Sequence, residues 1–252
     1  MKPKEILDLV NNDKNIKTSI GTKQEKTIHQ FLKYFISNNS QYHEVKINRH
    51  IVDVLIDNHI YEIQTRSFNA FKSKLKTLLD DYLITVVYPI AQNKMLYKVN
   101  EQGEIIQVRK SPKKTHPLSI GEELYKIKDL LKHENLSFKI VLLDVDEYNT
   151  TRISRRKQLR LSQIDQYPKE IINVFDINSI NDWINLFPNL ENFTTKSFMK
   201  ETKLSLKQAG HALNVFRYLE VIEVTGKIGN AYVYNLRKKV YTNWSEPHLV
   251  HT

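Results

Sequence analysis

The chain has 252 residues, no cysteine, and a formal net charge of +10 from 38 Lys and Arg against 28 Asp and Glu. Without cysteine there are no disulfides and no thiolate metal sites, which fits a reducing, cytoplasmic setting, and no run approaches the roughly 20 apolar residues of a membrane-spanning helix. The surplus of positive charge predicts a polyanionic partner, nucleic acid before any other.

At the amino end, MKPKEILDLVNNDKNIK lacks the apolar segment and small-residue cleavage site of a secretory signal. Residues 4–10 read as a short helix, followed by a polar Asn/Asp/Lys loop. Thr22 then stands as an N-cap with Glu25 three residues on, a capping-box spacing, ahead of KQEKTIHQFLKYFI. In that run Ile28, Phe31, Leu32 and Phe35 keep the spacing of one buried helical stripe. Three short strands are predicted over 42–47, 51–56 and 60–65. The last two are joined at Asp57-Asn58, a pair that tolerates the left-handed backbone of a tight turn. A helix over 67–79 follows, with Phe68, Phe71, Leu75, Leu78 and Leu79 on its apolar side. YLITVVYPI, 82–90, is the continuous apolar run of a strand covered on both faces, closed by Pro89.

Residues 95–99 and 105–108 read as a hairpin around Gly103. The basic loop RKSPKKTHP leads to a helix over 121–133 and then to a buried-type strand over 138–145. TRISRRKQLRLSQIDQYPKE breaks the composition, and a domain boundary is predicted there. The division is a first domain over 1–150, a basic linker over 151–170 and a second domain over 171–252. In the second domain a helix over 179–187 stops at Pro188, Thr194 or Thr195 caps another that ends near Thr202, and Ser205 caps LKQAGHALNVFRYLE. Leu206, Ala209, Leu213, Phe216 and Leu219 are taken as the inner face of that last helix. A β-hairpin over 221–224 and 231–236, turning at GKIGN, closes the order of a winged helix-turn-helix.

The strands of the first domain carry polar residues where a core strand would use valine. Asp53 lies on the second strand, and Glu62 and Gln64 share one face of the third by alternation. Singly these are ordinary surface groups; Glu25 alone is an ordinary capping residue. Together with the order helix, strand, strand, strand, helix, strand, they resemble the core of the PD-(D/E)XK nuclease superfamily, which includes restriction endonucleases and Holliday-junction resolvases. The resemblance covers roughly residues 21–90. Val52 replaces the nominal proline before the aspartate, and Gln64 stands where the family usually has lysine, as it does in some members.

The resemblance implies an α/β fold with a restriction endonuclease-like αβββαβ core and a mixed sheet, followed by the small winged-helix domain. It also implies metal-dependent endonucleolytic hydrolysis of phosphodiester bonds, in DNA before RNA. Asp53, Glu62 and the backbone carbonyl of Ile63 would hold Mg²⁺, with Mn²⁺ as a substitute, and Glu25 would complete the shell. Gln64 would orient water, and Lys46 and Lys72 are candidates for the missing cation. The alternative is a nuclease-fold DNA-binding protein without turnover, a regulator or complex subunit; a homodimer is compatible with either.

Nucleic-acid contacts are predicted at Arg152, Arg155, Arg156, Lys157 and Arg160, along Lys207, Gln208, His211, Asn214 and Arg217 of the third C-terminal helix, and at Lys227 of the wing. The nine histidines form no paired helical spacing that suggests zinc, and no phosphate-cradling glycine loop is present.

Overall fold

A computed structural model describes residues 3–12, 27–65, 67–113, 115–153 and 159–237; at residues 11, 12, 152, 153 and 159–161 it describes the backbone alone. Helices α1 (Pro3–Asn12) and α2 (Thr27–Ile36) precede a short 3-10 turn and three strands, β1 (His43–Ile47), β2 (His50–Ile56) and β3 (His59–Ile63). After α3 (Phe68–Leu78) come β4 (Leu83–Val99), β5 (Ile105–Lys110), a helical stretch that opens as α4 (Gly121–Leu124), β6 (Leu136–Ile153) and β7 (Leu159–Ile177). The carboxyl-terminal part holds α5 (Ile180–Leu186), β8 (Phe193–Thr194), α6 (Thr195–Thr202), α7 (Leu206–Tyr218), β9 (Ile222–Ile228) and β10 (Ala231–Leu236).

This is a mixed α/β fold built on one large mixed sheet. Its strands run in the order β1-β2-β3-β4-β6-β7, with β5 paired to the far half of β4. β3, β4 and β6 are parallel and the remaining pairs antiparallel. A small second sheet has the order β8-β10-β9.

Apolar layers cover both faces of the large sheet, which is why β4 and β6 read as continuous apolar runs. On one face Ile84 and Val86 of β4 and Phe138, Ile140 and Leu142 of β6 meet Phe68, Phe71, Leu75 and Leu78 of α3. On the other, Val87, Val141, Leu143 and Val145 meet Ile6 and Val10 of α1 and Ile28, Phe31 and Leu32 of α2. The carboxyl-terminal elements join the α3 side. Trp183 of α5 lies 5.7 Å from the Phe138 ring and 5.4 Å from that of Phe216 on α7, so its aromatic core is continuous with the sheet's.

Four expectations are corrected. Pro89 does not end a strand, because β4 runs through it. Val87 turns its carbonyl to Gln64, so Pro89, two residues on, points its missing N–H to the same edge, where β3 has already ended. The helix expected over 121–133 is α4 followed by a 3-10 segment over Tyr125–Leu130, kinked at Ile127. Residues 159–170 are strand rather than linker: β7 pairs with β6 from Ile153↔Leu159 to Phe138↔Ile177, and its polar alternation is that of an edge strand. Leu206 is exposed, because α7 starts at that residue and buries Ala209, Ala212, Leu213, Val215 and Phe216 instead.

Candidate functional site

The site grows from the β2–β3 hairpin. Ile56 pairs with His59 across the turn, and Asp57 takes a left-handed φ of 52°, the conformation its residue type permits. The register Val54↔Tyr61 and Leu55↔Ile60, continued one step, sets Asp53 opposite Glu62. At that step the Asp53 side chain takes over from the backbone: its carboxylate accepts the Ile63 amide at 2.7 Å. Asp53, Glu62 and Ile63 are thus held together at the carboxyl end of β3, where β4 and β6 run on past it. Gln64 is half-buried just beyond, its main-chain N–H donated to Val87 at 2.9 Å.

Glu62 is 2 % exposed, and Lys74 Nζ from α3 lies 2.5 Å from its carboxylate. Lys74 also donates to the Ile51 carbonyl at 2.5 Å, so one amine ties α3 to β2 and β3. On the other side, His29 Nε2 of α2 lies 3.4 Å from Asp53 Oδ2. Burial first, then the Asp53 charge, push the Glu62 carboxyl up to about 7, while Lys74 pulls the other way.

Lys74 is the candidate site residue that the sequence alone did not single out. Of its two nominees, Lys72 is paired with Asp129 at 2.5 Å and Lys46 is exposed on β1. Helical spacing carries the signal: Lys74 lies three residues after Phe71 and four before Leu78, inside the stripe α3 turns to the sheet. His29 gave no comparable signal beyond its place on α2.

Glu25 lies outside the described residues. Among the described residues no three His, Asp or Glu side chains form a group that could hold an ion. The donor chemistry of the pair nonetheless fits a hard divalent cation, since two adjacent carboxylates, one buried and pushed toward neutrality, are relieved by positive charge.

The structure distributes the expected nucleic-acid contacts unevenly. Arg152 and Arg160 are cross-strand partners near the end of the β6–β7 ribbon, described by backbone alone, and Arg155, Arg156 and Lys157 between them lie outside the described residues. On α7, Gln208 is used in the capping box with Ser205. Lys207 is paired with Glu122 at 2.9 Å, His211 stacks on Tyr125 with ring centroids 4.5 Å apart, and Asn214 accepts from Lys128 at 2.9 Å. Three of the five α7 residues therefore engage α4 and the turn after it. Arg217 and Lys227 remain exposed, Lys227 lying over the Tyr232 ring.

The model of a family described as a domain of unknown function (DUF8091) matches residues 26–178. The chain belongs to this family. The DUF8091 match begins at the residue after Glu25 and ends one residue past β7, so it contains Asp53, Glu62, Gln64 and Lys74 and leaves out α5 to β10. An uncharacterized protein of Treponema pallidum (strain Nichols) is 33% identical over 161 residues, which is 59% of this chain and 64% of that protein. The matched region thus spans less than two thirds of that relative's length. No solved structure matches the chain. Among the described residues no helix is long and apolar enough to cross a membrane.

Proposed function

We propose that the chain is a metal-dependent nuclease of the PD-(D/E)XK kind acting on DNA. The observation that carries this reading is the convergence of Asp53, Glu62 and the Lys74 amine at the end of β3. A site expected from two acids and a missing lysine has a lysine, supplied from α3 instead of position 64. The helix–strand–strand–strand–helix–strand order from α2 to β4 supports the same reading, and the α6–α7–β9–β10 order supports a winged-helix unit after it.

In this reading Asp53 and Glu62 would hold Mg²⁺ or Mn²⁺ with the Ile63 carbonyl, and Glu25 is the further carboxylate that the family resemblance assigns to the shell. When bound, the cation supplies a water of lowered pKa and neutralises charge on the phosphate. The chain's own groups do the rest. Glu62 must give up its proton to serve as a ligand, so metal binding releases a proton near neutral pH. Lys74 would compensate the ionised Glu62 and offer positive charge to a bound phosphate. His29 orients Asp53 from the α2 side, and the Gln64 amide offers hydrogen bonds to water.

The test is incubation of the purified full chain with supercoiled plasmid, duplex oligonucleotides and RNA in Mg²⁺, Mn²⁺ or EDTA. Plasmid nicking or linearisation with metal and none with EDTA is expected. Intact substrates in every metal would overturn the reading as an enzyme, and cleavage of RNA alone would overturn DNA as the substrate.

A further inference from the structure

β4, β5 and β6 run on past Val145, the last residue of β6 buried against α1 and α2. On the face that carries Val145, alternation and register set two cross-strand rows, Arg109–Leu96–Glu147 and Gln107–Lys98–Asn149. Glu147 is the one acid of these rows, and its carboxylate is already engaged by Lys94 at 2.8 Å, Gln166 at 2.8 Å and Asn149 at 3.2 Å. Lys98, Arg109 and Gln107 differ from it. Among the described residues none of their side chains has a hydrogen-bond or ion-pair partner. With Leu96, Tyr97 and Asn149 they line a depression of about 30 Å³, room for a few small oxygens and not for a base. Lys98 and Arg109 are diagonal neighbours across the antiparallel β4–β5 pair, about 7–8 Å apart, close enough for both to reach one small anion. The irregularity in that pairing lies beyond them, between Lys98 and Val99. On the opposite face the cations Lys110 and Lys169 are matched by Asp144, Asp146 and Glu170 around one depression.

We propose that Lys98 and Arg109 clasp one backbone phosphate of a DNA duplex, about one helical turn from the phosphate that meets Asp53 and Glu62. A guanidinium and an ammonium neutralise the phosphodiester, and the Gln107 amide donates a further hydrogen bond. The spacing follows from β4. Lys98 lies eleven residues past Val87, which pairs with Ile63 at the acid site, and the register shift between Ala91 and Asn93 takes one residue out of the ladder. The remaining steps of about 3.3 Å place the two points at most about 33 Å apart. A duplex brings the same strand back to the same face about every 34–36 Å, so one lying along β4 meets both points with one backbone. The spacing rests on the nuclease reading of Asp53 and Glu62; the phosphate contact does not.

The test titrates the full chain against a fluorescent duplex of about three helical turns, in EDTA so that no cleavage intervenes, over a series of KCl concentrations. Lys98→Gln with Arg109→Gln should lower the log–log salt slope by about 0.9, the value of one phosphate contact. Lys196→Gln with Lys200→Gln removes the same charge from exposed positions on α6 and should lower it by less than half as much. Lys98→Arg with Arg109→Lys keeps both charges and should keep the wild-type slope. A wild-type chain that binds no duplex, a glutamine variant with the full slope, or a control that loses as much would each overturn the proposal. With Mg²⁺ and end-labelled duplexes, wild type should nick fastest where about 10 base pairs remain on one side of the cut, and the glutamine variant should lose that preference. Equal nicking up to both ends by wild type would overturn the spacing. A lowered slope without cleavage in any metal would overturn the nuclease reading and the spacing with it, and leave the phosphate contact standing. Cleavage with an unchanged slope would do the reverse.

Discussion

At the residue scale the proposed chemistry rests on Glu62 and Lys74. A carboxyl raised from its ordinary value to about 7 holds a proton in the folded state that the unfolded chain has already lost. Stability therefore falls as pH rises between about 4.5 and 7, by roughly 3 kcal/mol, and levels off above. Glu62→Gln should remove that slope, which thermal midpoints of both proteins from pH 5 to 8 would reveal; parallel curves would contradict the shift. The same proton competes with metal, so Mg²⁺ should raise the wild-type midpoint more at pH 8 than at pH 6. Lys74→Met removes the charge that favours ionised Glu62. It should move the carboxyl further up and lower any metal-dependent cleavage by about 100-fold or more, the scale of losing one electrostatic stabiliser. Gln64→Lys is the complementary change. A second amine beside Lys74 should leave cleavage at or above the wild-type level, and complete loss would mean that the amide has a specific role.

Close packing at the element scale fixes how α4 lies against α7. A Cβ at Gly121 would come within 2.6 Å of Ala212 Cα, while one at Gly210 meets nothing within 4 Å. Gly121→Val should therefore cost about 1–3 kcal/mol in urea unfolding, and Gly210→Ala, inside α7, should add about 1 kcal/mol. The start of α2 depends on β7 in turn. Asp165 accepts the Thr27 amide at 3.3 Å and the Thr27 hydroxyl at 2.5 Å, so Asp165→Ala should cost on the order of 1 kcal/mol. Such contacts explain what the sequence could and could not show. The stripes of α2 and α3, the Ala209, Leu213 and Phe216 part of α7's and the Asp57 turn are local patterns and were legible, whereas Leu206 was not, because it opens α7 and is exposed. The place of Asp53 and Glu62 on adjacent hairpin strands was legible as well, because strand alternation is local too. The passage of β4 through Pro89 was not, since it depends on where β3 stops. Lys74 was readable only once its side of α3 was weighed, and the contacts of Lys207, His211 and Asn214 depend on a helix more than 80 residues away in sequence.

The apolar layer on the α3 side of the sheet governs the scale of the whole molecule. It runs from β1 through Phe138 and Trp183 to Phe216 and Tyr234, so the carboxyl-terminal elements are not free-standing by their core. The full chain should unfold in one calorimetric transition. A chain ending near Thr150, expected from sequence to keep the site, would lose all of β7 and expose that layer, and it should fail to give a cooperative melt. Two separate transitions would restore the division into independent domains.

The central claim is that Asp53 and Glu62 form a metal-dependent hydrolytic centre. Its most direct test is the initial rate of Mg²⁺-dependent plasmid nicking by wild type, Asp53→Asn and Glu62→Gln at equal concentration, with circular dichroism confirming that all three are folded. Nicking by wild type and a loss of about 100-fold or more in each variant is the expected result. A folded variant that nicks at the wild-type rate would contradict it.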